Sequence, residues 1–511
     1  MSRADRRKEM FEQRAQQKRA GAAASSDNAP SGPPMFTTNS SEVQLRNAGI
    51  ATLAILTLVC WFAAHITFGE ANQLAMAGVA IALAGVASGI CLGLISPVAA
   101  VLISVAMVPF RGGSEALPFG FTEFLRGSAL WGAVIRLLWD RFNAHRSRAN
   151  YVPPSRMMTI AAVIGLLIAP LQRYTATSLG TFTAQGEFVD ALGILGTQSL
   201  FFGAWLAAAH FPRTSIPKLQ KAIGITIAVA LALSFAAWLP PSMFNFFHPL
   251  KSLVKAVPFD FFLFNADVFG RLGTLGFPTP TAMGIAIAAP LAASAAFERS
   301  RISGVALLVA ATVAIILTES RGPLIALAVM AVSVVPSIGL VRGRYLLALG
   351  GAGTLAALLL FLNRYGSRLD LIFSGSLPNI GSDLQRITSW RAGIETAIAH
   401  PLTGGGWFSL RYWNDGELGK ENVNLSHNII LQGLSDGGFP LGAASAIVVI
   451  GATVLLLRNW KSVPLAWRAA AIAVLVCGLW DMPQFRAFGS LFAGLALGLV
   501  SRRDGSTTTQ E

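Results

Sequence analysis

Four short stretches hold arginine, histidine and turn residues in patterns that suit anion chemistry. The first is GRLGTLGFPTPTAMG, residues 270–284, with Arg271 just ahead of a predicted helix. Thr279 is placed to cap that helix, and Pro280 suits its first position. The second, TESRGPLIAL, sets Arg321 at the tip of a tight connection and Pro323 at the start of the next helix. In the third, Ser382 to Trp413, Ser382 and Gln385 make a capping-box pattern. Leu384, Ile387, Ile394 and Ile398 give a helical stripe there, and Arg386 and Arg391 lie on the same helix. It ends at His400-Pro401, ahead of Gly404-Gly405-Gly406. The fourth, NLSHNIILQGLSDGGFPLG, places Ser426 as the cap of a helix that begins with His427.

Three of these stretches share one geometry. A helix start offers unpaired N–H groups and the positive end of the helix dipole. Arg271, Arg321 and His427 each sit beside such a start. Facing one compartment, they would form a water-accessible anion site at a membrane surface. Arginine holds phosphate oxygens through paired hydrogen bonds. A lipid with a diphosphate head is the natural ligand, its tail among the helices and its head at the arginines.

The blander readings carry weight. An arginine at the end of a span is usually a snorkelling anchor. Arg321 differs because its loop is very short and falls on the outer face. His65, His145, His210 and His248 read as structural, and His400 as a helix terminator. Trp407, Phe408, Tyr412 and Trp413 suit interfacial anchoring and stacking on sugar rings equally well. The triple glycine reads as a turn before it reads as a phosphate loop. Asp370, Asp383, Asp415, Glu417 and Asp436 form no metal cluster, so neither a metal nor a cofactor is expected. Walker A and HExxH patterns are both missing.

The elements that must position these groups are membrane helices. The chain has 511 residues, 53% hydrophobic and 13% charged. Its apolar residues fall in blocks of about 17–22, the length that crosses a hydrocarbon core as a helix. The fold expected is all-α, a polytopic transmembrane bundle of about 12–14 spans with a large periplasmic loop containing short helices. Predicted helices lie at 48–67, 73–91, 92–110, 121–139, 157–172, 188–208, 222–240, 280–298, 303–318, 322–340, 345–362, 428–457, 467–480 and 487–501. Cys60, Cys91 and Cys477 lie inside apolar blocks and read as packing residues.

Net charge is +14. Basic flanks of membrane helices explain it better than nucleic-acid binding does. The clusters Arg141/Arg146/Arg148/Arg156, Arg213/Lys218/Lys221, Arg299/Arg301, Arg342/Arg344, Arg458/Lys461 and Arg502/Arg503 fall in every second connection. That alternation puts both termini in the cytoplasm. Residues 1–46 read as a disordered basic cytoplasmic tail without a cleavable signal peptide, 47–501 as the membrane domain, and 502–511 as a second cytoplasmic tail. The polar segments 241–279 and 363–426 then lie outside.

Arg271-Leu272-Gly273 before PTPTAMG, Ser320-Arg321-Gly322, Arg391 with His400-Pro401-Leu402-Thr403-Gly404-Gly405-Gly406, and Ser426-His427-Asn428 with Gly437-Gly438 resemble the O-antigen ligase and O-antigen polymerase superfamily. The resemblance covers roughly residues 265–457. It implies an inverting, metal-independent glycosyltransferase in the bacterial inner membrane, active in lipopolysaccharide or surface polysaccharide biosynthesis. The donor it implies is a glycan on undecaprenyl diphosphate, presented at the periplasmic face. The acceptor is a lipid A–core sugar in the ligases and a second lipid-linked repeat in the polymerases. Arg271 and Arg321 would bind the diphosphate, Arg386 or Arg391 would complete the clamp, and His427 would orient or deprotonate the acceptor hydroxyl. Membrane lipids are the other expected partner, and nucleic acid is not one. The family usually shows about twelve spans, fewer than the length rule gives here.

A transporter or flippase of lipid-linked glycan is the competing class. The span number fits it, but the lack of buried charge and of internal repeats does not. An oligosaccharyltransferase acting on protein is a third possibility.

Overall fold

The structure is a computed structural model. It describes residues 85–109, 121–146, 155–169, 171, 198–238, 264–266, 272–274, 278–318, 320–338, 380–406, 410, 425–482 and 487–502. The chain divides into two units, Met1–Ile55 and Leu56–Glu511, and every described residue belongs to the second. The expected tail 1–46 and the expected helices at 48–67 and 345–362 lie outside the described residues.

The described residues are helical apart from one small hairpin. An apolar helical stretch, Gly85–Ile95, precedes α1 (Pro97–Ala106). Then follow α2 (Phe121–Arg146), α3 (Arg156–Ile168), α4 (Gln198–His210) and α5 (Ile216–Trp238). Strands β1 (Phe264–Ala266) and β2 (Leu272–Thr274) pair antiparallel, with Asn265 opposite Gly273. The remaining helices are α6 (Pro278–Arg299), α7 (Arg301–Leu317), α8 (Arg321–Ile338), α9 (Ile380–Ala399), α10 (Ile429–Arg458), α11 (Leu465–Trp480) and α12 (Ala487–Val500). Among the described residues, three segments are long and apolar enough to cross a membrane: Arg213–Ala232, Thr281–Arg299 and Ile429–Arg458. Shorter apolar helices of 10–17 residues include Arg156–Ile168, Arg301–Leu317 and Leu465–Leu479.

Expected helices recur with shifted ends. The span expected at 428–457 is Ile429–Arg458. The one expected at 121–139 continues to Arg146. Arg136 and Asp140, 2.9 Å apart and one turn from each other, let that helix carry charge past the apolar stretch. The helix expected to open at Pro280 starts at Pro278, so Thr279 lies in its first turn and does not cap it. The hairpin occupies a segment read as polar loop.

Helix α6 is the centre of the bundle. It packs against α5, α7, α8, α11 and α12. Ala282, Met283, Ile285, Ala286, Ile287 and Ala288 are completely buried. Nearby, α4 and α12 pack with their backbones in close approach. A Cβ on Gly494 would lie 2.3 Å from the Phe201 carbonyl oxygen, and one on Gly498 would lie 2.5 Å from that of Trp205. This Gly-x-x-x-Gly spacing lets two backbones touch where a side chain would hold them apart.

Helix α10 is interrupted. Gly437 (φ −128°, ψ 18°) and Gly438 (φ 65°, ψ −161°) leave helical geometry, and Pro440 follows. An unbroken helix would send the Phe439 N–H to the Ser435 carbonyl. Here it donates to the Pro401 carbonyl at 2.8 Å. The two released acceptors are satisfied from the turn after α9. Gly405 N–H donates to the Ser435 carbonyl at 2.8 Å, and Gly406 N–H to that of Asp436 at 3.1 Å. Pro440 could not have served Asp436, having no N–H. The join leaves no room for side chains. A Cβ on Gly404 (φ +61°) would lie 2.6 Å from backbone atoms of Asp436, Gly437 and Gly438, and one on Gly438 would lie 2.5 Å from the Pro401 oxygen.

Gly438→Ala and Gly404→Ala are each expected to cost about 2 kcal/mol or more, from left-handed strain plus backbone overlap. Thermal unfolding in detergent should show a clear fall in Tm for both. Gly322→Ala, where a Cβ meets nothing within 4 Å, should leave Tm unchanged or slightly raised.

Candidate functional site at one end of the bundle

The starts of α6 and α8 lie side by side. The Ser320 hydroxyl donates to Thr279 Oγ1 at 3.1 Å, tying the residue before α8 to the first turn of α6. In the next turn of α6, Gly284 faces Phe488, near the start of α12. The segment leading into α12 begins at Asp481, and Asp481 meets His427. The starts of α6, α8 and α10 and the end of α11 therefore share one end of the bundle. The open space beside Gly322 borders the α8 start.

His427 is the best-defined polar group at this end. Its Nδ1 lies 3.2 Å from Asp481 Oδ1, with side chains 32% and 14% exposed. An ionised carboxylate only accepts, so the bond assigns the proton to Nδ1. In the neutral ring Nε2 then carries the lone pair. Asp481 is itself fixed, because the same oxygen accepts the Met482 N–H at 3.0 Å. His427 has φ 47°, the one positive value among the described non-glycine residues. A left-handed histidine is uncommon and is held by its surroundings.

The surroundings that hold it are plain. Asn428, with extended backbone, is the N-cap of α10: its Oδ1 accepts the N–H groups of Ile430 (2.9 Å) and Leu431 (3.1 Å). Its Nδ2 donates to the Leu479 carbonyl at 3.3 Å, joining the α10 cap to the end of α11. On the other side, Ser426 N–H donates to Gln432 Oε1 at 2.8 Å. Gln432 Nε2 donates to both Asp436 oxygens, at 2.7 and 2.8 Å, and Asp436 is fully buried. Ser426 was expected to cap a helix beginning at His427. The cap is Asn428, and His427 stands just outside the helix; Ser426 is a buried member of the network behind it.

The arginines divide by position. Arg271 lies outside the described residues. The backbone of Arg321 opens α8, and its side chain is likewise outside them. Helix α9 starts at Ile380, so Ser382 lies within it and does not cap it. Ser389, Ala392 and Ala397 are buried on its packed face, and a Cβ on Gly393 would lie 2.8 Å from Ser426 Oγ. Arg386, two turns before Gly393, is half-buried along that face. Arg391 points elsewhere, with its Nε 2.8 Å from Glu395 Oε1 in an exposed pair. The N–H groups of Gly405 and Gly406 are spent on the α10 interruption, so the triple glycine is a structural turn. His400 accepts the Gly404 N–H on its carbonyl, in keeping with a terminating role.

Residues 306–446 match the family described as O-antigen ligase (Wzy_C). That segment is of the O-antigen ligase family. It spans a little over a quarter of the chain and includes Arg321, Arg386, Arg391, His427 and both glycine runs. The family is one of glycosyltransferase-like enzymes of polysaccharide biosynthesis. No curated protein matches the sequence. Asp481 lies beyond the ligase-family segment, as does Arg271.

Sequence reasoning missed Asp481. Its signal was a lone carboxylate at the end of an apolar run, two residues before Pro483, in a chain where such runs hold almost no acid. The pairing of the two glycine runs had no comparable signal.

Asn428→Ala is expected to cost about 1 kcal/mol as a lost N-cap, and to loosen the α10–α11 join. Asn428→Asp should keep the cap while losing the donor to Leu479. Tm should therefore fall in the order wild type, Asp, Ala.

Proposed function

We propose that the chain transfers glycan from undecaprenyl diphosphate to an acceptor sugar hydroxyl at the periplasmic face of a bacterial inner membrane. The observation that carries this reading is the His427–Asp481 pair beside the helix starts of α6, α8 and α10, in a ligase-family setting. The expected topology supports it: a bundle of about 12–14 spans, multi-pass, both termini cytoplasmic, with a periplasmic loop at 363–426.

In the reaction, His427 Nε2 accepts the proton of the acceptor hydroxyl. The acceptor oxygen bonds to the anomeric carbon from the side opposite the diphosphate, inverting it. The carbon–oxygen bond to the carrier breaks, and its electron pair leaves on the diphosphate. Arg271 and Arg321, aided by two helix dipoles, stabilise that growing negative charge. No nucleotide or metal is needed, because diphosphate is already a good leaving group. Asp481 keeps the imidazole in the tautomer that leaves Nε2 basic and steadies the imidazolium that forms. Arg386 is the better candidate for the third diphosphate contact, since it lies along the packed face of α9, the face whose Gly393 meets Ser426, while Arg391 pairs with Glu395.

Ligase and polymerase differ only in acceptor: a lipid A–core sugar, or another lipid-linked repeat. A deletion strain separates them. Loss of all glycan on lipid A–core marks a ligase, and single repeat units mark a polymerase. Movement of lipid-linked donor across vesicles with no glycan joined would replace both with a flippase.

His427→Ala and Arg321→Ala are expected to lower transfer in proteoliposomes by about 10²-fold or more, with normal insertion. Asp481→Asn should lower it by at least about tenfold through the wrong tautomer. Undiminished transfer by His427→Ala and Arg321→Ala would overturn the assigned roles. Arg386→Ala should raise KM for the donor more than Arg391→Ala does, and the reverse order would exchange their places in the clamp.

A further inference from the structure

Helix α9 has an exposed apolar face. Ile387 is 60% exposed, Ile394 45%, Ile398 66%, and Leu402, just past the helix end, 76%. The spacing of seven and four puts the three isoleucines on one side of the helix, and Leu402 is exposed in the turn that follows. The opposite side is the packed one, where Ser389, Ala392 and Ala397 meet α10 and the Ser426 loop. The stripe is therefore outside the protein core, not an unfilled part of it.

The stripe continues into the surface of a membrane-crossing helix. Leu402 follows Pro401, whose carbonyl accepts the Phe439 N–H at 2.8 Å. Phe439 is 53% exposed and begins the second part of α10. From there Ile450, Val454 and Leu457 are exposed along the same helix, which is apolar enough to cross a bilayer. Phe439 to Arg458 is about 30 Å of helix, one hydrocarbon thickness. Phe439 and Leu402 thus stand where the hydrocarbon ends, and α9 leads away from that level. At the border of its apolar face, Arg391 and Glu395 form their exposed pair. An apolar stripe edged by charge is the pattern of a helix lying in an interface.

We infer that α9 lies in the outer leaflet of the membrane, with Ile387, Ile394, Ile398 and Leu402 among the acyl chains and Arg391 at the headgroups. The occupant of this face is phospholipid, continuous with the lipid around α10. Such a helix acts as a float: it fixes its packed face, and so the Ser426–His427 loop, at headgroup depth. The inference rests on membrane crossing by α10 and not on glycan transfer, so either can fail without the other.

Depth-dependent quenching tests it on the full-length chain in phospholipid vesicles, with Cys60, Cys91 and Cys477 replaced. A bimane on Ile394→Cys or Ile398→Cys should be quenched by lipids with a spin label on the acyl chain and be shielded from a water-soluble nickel chelate. A bimane on Glu395→Cys should show the reverse preference. A bimane on Ile450→Cys, within the span, calibrates the lipid response. Equal exposure of positions 394, 398 and 395 to the aqueous quencher would overturn the proposal. So would shielding of 394 and 398 from both quenchers, as a second copy of the chain or another protein on this face would produce.

Discussion

The interruption of α10 and the turn that seals it set the geometry of the polar end. A helix that breaks at Gly437–Gly438 ahead of Pro440 must find new partners for two carbonyls and one N–H, and those groups are far too costly to bury unpaired. The turn after α9 supplies all of them through backbone atoms. Both glycine runs are needed because the two chains touch main chain to main chain. Once this join is made, the direction of α9 and the approach of its Gly393 to Ser426 follow.

A second constraint acts from the far side of His427. The Asn428 cap joins the start of α10 to Leu479, and Asp481 holds the imidazole. Between the Ser426–Gln432–Asp436 network and this cap, the backbone of residue 427 is forced into a left-handed turn. Strain of this kind persists only where neighbours over-determine it, and it is concentrated at functional positions. The bundle contributes the rest by bringing the α6 and α8 starts together through Thr279 and Ser320. Helix starts, the His427–Asp481 pair and the backbone of Arg321 then share one end, the setting that the proposed departure of a diphosphate calls for.

Much of this was legible in the sequence, for physical reasons that can be named. Apolar blocks the length of a bilayer report helices whatever their packing, so the ends of α10 and α11 fell within two residues of expectation. His427 stood out in the sequence through its context alone, a histidine at a helix start beside an arginine-rich loop. Ser426 was misjudged because serine and asparagine are both good caps, and only packing decides which one turns outward. The choice between Arg386 and Arg391 needed the packed face of α9, which the Ile387–Ile394–Ile398 stripe misreports: a stripe that faces lipid looks the same as one that faces a core. Asp481 and the glycine join involve partners distant in sequence, and hydropathy contains no term for them.

The central claim is that the end of the bundle holding Arg321, His427 and Asp481 opens to the non-cytoplasmic side. A single cysteine at Gly322, placed where the structure has open space, tests it most directly with a membrane-impermeant maleimide. Labelling in right-side-out vesicles and protection in inverted ones is the expected result. Labelling in inverted vesicles alone would put Arg321 on the cytoplasmic side, and no site for an externally presented lipid diphosphate would remain.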